Sequence, residues 1–260
     1  MKQKICKSFD GIDLYYVINR MNNAPFLVFI HGAGSNHTVY KPFFSAFEKR
    51  NFIAIDIRNH GKSGRTSLDA VTIKNIAKDI ASVLAAEHVH DVILIGNSLG
   101  ASVALEFYKN NRKKVHKMIL FTLFSRRYVR YSTFLKGLAT LAYILVRPFS
   151  GRRKLQFQDY HKYQKRPIWY YPYLDIRGTP FGTVMKLVRE LFATPVYLNT
   201  VTVPTQIFLS TADWSTKNEL IKSDCKANAF LSVVEMDANH VVLTREHEDV
   251  LKKISAFLTD

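Results

Sequence analysis

At 260 residues the chain fits one large α/β domain or two small ones, with one as the first expectation, and its 47% hydrophobic and 22% charged positions are ordinary for a globular protein, which excludes wholesale disorder and allows a substantial buried core. Its two cysteines, Cys6 and Cys225, form no metal-type or redox-type spacing and read as small core residues in a reducing compartment, with the cytoplasm as the default location. The net charge of +16 is unevenly spread: Asn111 to Glu190 hold 18 Lys/Arg against 3 acidic residues, +15, and the remainder is nearly neutral.

In chain order, Lys2 to Phe9 and Ile12 to Ile18 read as two strands around Asp10-Gly11, a dipeptide suited to a tight hairpin turn. The lysine-containing N-terminus carries no apolar stretch of the signal-peptide kind. Phe26 to Ile30 is a third strand, leading into His31-Gly32-Ala33-Gly34-Ser35-Asn36 and then a helix whose apolar positions are Tyr40, Phe43, Phe44 and Phe47. Phe52 to Ile55 is the next strand, followed by the polar loop Asp56 to Gly64. Val71 to Ala86 has helical spacing, with Ile73, Ile76, Ala77, Ile80, Val83 and Leu84 on one face. Val92 to Ile95 reads as a buried strand, a helix runs on from Ala101, and Lys117 to Thr122 is a further buried strand. This alternation predicts a mainly parallel sheet covered on both faces.

The rhythm breaks between residues 124 and 202. That segment carries the apolar stretch Phe134 to Val146, a run rich in arginine, lysine and aromatics as far as Tyr173, and an amphipathic helix from Phe181 to Phe192. The alternation then returns: Gln206 to Leu209 as strand, Ser215 to Ser223 as helix, Phe230 to Glu235 as strand, Glu246 to Leu258 as helix. The expected division is therefore a core of residues 1–123 and 203–260 and a basic, aromatic, helical insertion of residues 124–202, placed where a lid would sit.

Gly96-Asn97-Ser98-Leu99-Gly100 joins the Val92 strand to its helix, and this G-x-S-x-G between strand and helix forces a very tight turn. Small residues two positions either side of Ser98 avoid collision, and the Leu99 N–H falls at a helix N-terminus, where negative charge is favoured. A serine hydroxyl needs a general base, commonly a histidine held by a carboxylate. Asp213 follows the Gln206 strand and His240 follows the Phe230 strand, giving the order serine, acid, histidine on loops at one sheet edge. Asp213 is also a candidate cap for the helix from Ser215, and Asp237, three residues before His240, is poorly placed to brace its ring and reads as structural. An oxyanion hole needs a second donor from the loop after the third strand; Ala33 is the choice there, with Gly34 or Ser35 as sharers.

Together these residues resemble the α/β-hydrolase superfamily, of the compact esterase, lipase and haloperoxidase-like kind, over residues 26–122 and 204–258. The resemblance rests on the His31-Gly32 loop, the Asp56 to Gly64 loop, the elbow at Ser98, and Asp213 and His240. It implies an α/β-hydrolase fold: a mostly parallel eight-stranded sheet, helices on both faces and a mainly helical lid insertion. It also implies a serine hydrolase of the carboxylesterase or lipase type, with catalytic Ser98, Asp213 and His240, oxyanion donors Leu99 and Ala33, and supporting His31, Gly32, Gly34, Gly96 and Gly100. No metal or organic cofactor is implied. His60, in a segment resembling the family's D-x-R-G-H-G-x-S with Asn59 in place of a glycine, reads as structural. Asn97 beside Ser98 resembles the elbow of some carbon–carbon bond hydrolases, so a non-ester hydrolase, or a receptor-like member with little turnover, is the alternative. The expected partner is a small or lipid-like ester. The basic insertion is open to three readings: solvated charge over packed aromatics, an anionic membrane surface, or, least of all, nucleic acid, for which no motif is present. Phe134 to Val146 is too short to span a bilayer, which takes about 20 apolar residues, but suits an interface or an acyl pocket.

Overall fold

The computed structural model describes residues 1–146, 155–163, 166, 170–213, 215–237 and 247–259. Among them, eight strands form one sheet: β1 (Lys2–Lys7), β2 (Asp13–Asn19), β3 (Phe26–Ile30), β4 (Phe52–Ile55), β5 (Val92–Asn97), β6 (Val115–Phe121), β7 (Thr205–Ser210) and β8 (Leu231–Met236). Their spatial order is β1-β2-β4-β3-β5-β6-β7-β8. β2 runs antiparallel to both of its neighbours, β1 and β4, and every other pairing is parallel. The parallel sheet predicted from the alternation is present, and the Asp10-Gly11 turn closes the N-terminal hairpin, with Gly11 at φ 86°.

The helices are α1 (Lys41–Ala46), α2 (Ile73–Ala86), α3 (Leu99–Asn110), α4 (Ser132–Val146), α5 (Tyr170–Gly178), α6 (Phe181–Ala193), α7 (Asn218–Lys226) and α8 (His247–Thr259). Strand alternation sorts β3 onto two apolar layers: Phe26, Val28 and Ile30 pack with α2 and α3, whereas Leu27 and Phe29 pack with α1 and α8. Every residue of β3 is buried, and each such apolar side chain contributes about 1.5–3 kcal/mol. Cys225 lies in the first layer, and burial pushes its thiol up to about 11, an unreactive state.

Helices α4, α5 and α6 lie in the stretch between β6 and β7, the insertion of residues 124–202. The helix expected from Ser215 begins three residues later, at Asn218. The intervening residues are held extended against the insertion: Val129 and Thr216 form an antiparallel bridge, Arg130 N–H donates to the Ser215 carbonyl (2.8 Å), and Lys217 N–H donates to the Tyr128 carbonyl (2.7 Å).

Arg58, fully buried just beyond β4, ties the loop after that strand to the rest of the core. It makes a two-pronged contact with Asp79 of α2, Nε to Oδ2 and Nη2 to Oδ1 at 2.6 Å each, and reaches Asp10 in the N-terminal turn at 2.9 Å. Removing one partner strands a buried charge. Asp79→Ala is therefore expected to lower unfolding free energy by about 3–5 kcal/mol in chemical denaturation, and an effect no larger than that of a surface substitution would contradict this role.

Candidate active site

β5 ends at Asn97, and α3 begins at Leu99, so a single residue carries the turn. Ser98 adopts φ 53°, ψ −111°, a conformation costly for a residue with a side chain, held by its N–H donating to the Phe121 carbonyl of β6 at 2.9 Å. The two flanking glycines are there for space. A Cβ at Gly96 would lie 2.4 Å from the Gly100 carbonyl oxygen, and one at Gly100 would lie 2.0 Å from that of Ile30. Ser98 remains half-buried at the C-terminal edge of the sheet. Leu99, as the first residue of α3, has an N–H with no intrahelical acceptor. The loop after β3 abuts the elbow: the Cβ direction of Gly32 falls 3.6 Å from Ser98 Cβ and 3.5 Å from the Asn97 amide nitrogen. Ala33, next in that loop, is half-buried. The Asn97 amide oxygen is buried and has no hydrogen-bond partner among the described residues.

Two buried histidines shape the loop. Ile57 N–H donates to His31 Nε2 at 3.1 Å, so the ring hydrogen is on Nδ1, 2.8 Å from the Gly32 carbonyl. Gly34 N–H likewise donates to His60 Nε2 at 3.0 Å, leaving His60 Nδ1 to donate to the Arg58 carbonyl at 2.9 Å. Both rings are thus neutral; burial drives His31 down to about 4 and His60 to about 3. The structural reading of His60 gains a specific task here. Gly34, considered as a sharer of the oxyanion role, has its N–H committed to His60 instead. Asn59, standing where a glycine was expected, has φ 64°, which asparagine tolerates better than most residues, and its amide bridges Thr66 and Thr183. Asp56 anchors the same loop, accepting from His37 N–H (2.7 Å) and Lys62 N–H (2.9 Å). Burial, the largest single influence, would raise this carboxyl, but the hydrogen bond from the His37 ring, the electrostatic attraction of the His37 and His31 rings and the hydrogen bond from the His37 N–H together outweigh it and hold the group below the ordinary range.

Asp213 lies beyond β7, two strands across from Ser98 and about 10 Å away by strand spacing, with 6% of its surface exposed. Its Oδ1 accepts from Ser215 N–H at 2.9 Å and from the Ser215 hydroxyl, closing a local turn rather than capping α7. Asp237, the competing acid, is exposed at the end of β8. His240 lies outside the described residues, as do Trp169, Trp214 and the Arg152 to Lys154 run.

One group at this edge had no signal in the sequence. Asp175 of α5 packs on Gly34, which has φ 85°; a Cβ there would come within 2.7 Å of the Asp175 side chain. The Tyr160 hydroxyl contacts Asp175 Oδ1 (2.5 Å) and the Gly34 carbonyl (3.1 Å), and Thr179 Oγ1 donates to that carbonyl at 2.9 Å. Gly34 is thus gripped by His60 from the core and by the insertion from above. Burial pushes the Asp175 carboxyl up to about 7, against the opposing hydrogen bond from Tyr160.

A serine elbow on the central strand of this sheet, with a glycine loop from the adjacent strand beside it, is the architecture of an α/β hydrolase. The chain belongs to the alpha/beta hydrolase family, whose model matches residues 27–253. It is 22% identical to 3-oxoadipate enol-lactonase 1 of Acinetobacter baylyi over 254 residues, 95% of this chain and 94% of that one. The esterase EaEST of Exiguobacterium antarcticum superposes with a TM-score of 0.78 at 18% identity, covering 100% of both chains, which shows a shared fold. The chain spans about a third of the length of some curated relatives it matches, among them a Mycoplasma pneumoniae protein whose name places it provisionally with esterases and lipases, 26% identical over 95 residues, 36% of this chain and 35% of that one.

The Asp175 shift gives a signed expectation. Its folded-state pKa is raised, so its contribution to stability is greatest below the unfolded value near 4, declines as pH rises towards 7, and then levels off. Asp175→Asn removes this titration. The melting temperature of the variant minus that of the wild type should rise between pH 4 and 7 and stay flat above, and a difference independent of pH would count against the shift.

Proposed function

We propose that this chain is a serine hydrolase that cleaves carboxylic esters through an acyl-enzyme. The observation that carries the reading is Ser98 itself, held at φ 53° between β5 and α3 and only half-buried. His240 takes the Ser98 proton as Oγ attacks the ester carbonyl carbon, and Asp213 orients and stabilises the resulting imidazolium. The N–H groups of Leu99 and Ala33 receive the oxyanion. The tetrahedral intermediate collapses, the C–O bond to the alcohol breaks, and His240 returns the proton to the leaving oxygen. Water, deprotonated by His240, then attacks the acyl carbon and releases the acid and Ser98.

An ester as substrate is supported by the family membership and by the full-length relatives, one an enol-lactonase and one an esterase. The insertion acts as a lid in this proposal, its protein-facing side shaping the acyl and alcohol pockets above Ser98, whereas the exposed outer face of α4 takes no part in them.

Ser98→Ala should reduce turnover of short p-nitrophenyl esters by at least about 10⁴-fold with an unchanged melting temperature, and Asp213→Asn should reduce kcat by roughly 10⁴-fold through loss of the correct imidazole orientation. Steady-state kinetics on purified variants checks both, and turnover retained by Ser98→Ala would end the assignment.

A further inference from the structure

A helix on a water-facing surface turns its apolar stripe inward and its polar residues outward. α4 does the reverse on its outer side. Ala139 and Tyr143 face the protein, packing towards α6, where Ala139 joins Phe192 and Val188 in a small apolar cluster. The opposite face carries Phe134, Leu138, Leu141 and Leu145 at spacings of four, three and four, with Ile144 beside them, and each is between 56% and 70% exposed. Tyr131, just ahead of the helix, extends the same stripe at 70% exposure. No acidic residue occurs in α4.

The charges that bracket α4 in sequence have one sign. Arg126 and Arg130, both exposed, precede α4, and Arg147 follows it in sequence. The three acidic residues of the +15 segment are all engaged: Asp159 pairs with Lys41 (2.5 Å), Glu190 with Lys186 (2.9 Å), and Asp175 is packed on Gly34. They do not offset the exposed cations.

At 15 residues, α4 is about 22 Å long, short of the roughly 30 Å of a hydrocarbon core, and among the described residues no helix is long and apolar enough to cross a membrane. An apolar stripe flanked by cations suits a helix lying in the plane of a lipid–water interface, with leucine and phenylalanine below the headgroups and arginine beside lipid phosphates. Nucleic acid fits poorly, because aliphatic leucines offer no stacking surface for bases.

We propose that the outer face of α4, with the exposed Arg126 and Arg130 ahead of it, docks this protein on an anionic lipid surface. The proposal is independent of the reaction at Ser98, so each can fail without the other. The test is co-sedimentation of the full chain with phosphatidylcholine vesicles, with and without phosphatidylglycerol, alongside turnover of a soluble short ester. Wild type should pellet with the anionic vesicles, remain largely in solution with the neutral ones, and be released by high salt. The double variant Leu138→Asp/Leu141→Asp should lose binding about tenfold or more while keeping its circular dichroism spectrum and its rate on the soluble ester. The salt and lipid arms need no variant and stand if the substitutions impair folding. Equal pelleting with both lipid compositions, or none with either, would overturn the proposal. So would a wild-type dimer in sedimentation velocity that the double variant dissolves while vesicles leave the protein in solution, because the stripe would then cover a second copy of this chain.

Discussion

The elbow and the loop beside it depend on the close approach of α3 to β3. The Gly100 backbone passes so near the Ile30 carbonyl that no other residue fits there, and Gly96 faces Gly100 across the same turn. This approach confines the strand-to-helix connection to one residue and drives Ser98 to positive φ. It also fixes the distance between the elbow and the loop after β3, since Ile30 is the last residue of that strand. The placement of Ser98, Leu99 and Ala33 relative to one another therefore follows from helix–sheet packing. It costs backbone strain at Ser98, offset by the fully buried strands around it.

The loop carrying Ala33 has no regular structure, and its shape is imposed from two sides. Below it, His31 and His60 act as fixed neutral acceptors whose tautomers are dictated by the backbone N–H groups they receive. Arg58 and Asp56 hold the segment that supplies His60. Above it, Tyr160 and Thr179 of the insertion bond the Gly34 carbonyl, and Asp175 packs against Gly34 itself. The insertion is thereby coupled to the loop that lines the elbow, so a change in how it seats is transmitted to the proposed oxyanion donor through one peptide unit.

Much of the fold was legible in the sequence. β3 and β4 begin and end where their short apolar runs do, because buried parallel strands carry uninterrupted β-branched and aromatic residues bounded by polar loops. The break after β6 was legible as a change of rhythm. The start of α7 was not, because residues 215–217 are held extended by Tyr128, Val129 and Arg130, a contact that crosses some 85 positions. At the site, the loops carrying Ser98 and Asp213 could be read from strand order, and Asn59 could be read as a stand-in for glycine. The grip on Gly34 could not: Tyr160 and Asp175 stand more than 120 residues from it in a segment whose aromatic and basic composition hides individual contacts. The outward stripe of α4 was present as an apolar stretch, but whether it faces in or out is decided by α6.

The account turns on Ser98 being an activated nucleophile, made so by the fold. Reaction of the native protein with a fluorophosphonate, followed by intact-mass and peptide-mapping mass spectrometry, tests this most directly. The account predicts one adduct per chain, located on Ser98 and lost when the protein is unfolded before labelling. No adduct, or one on another serine with Ser98 unmodified, would contradict it.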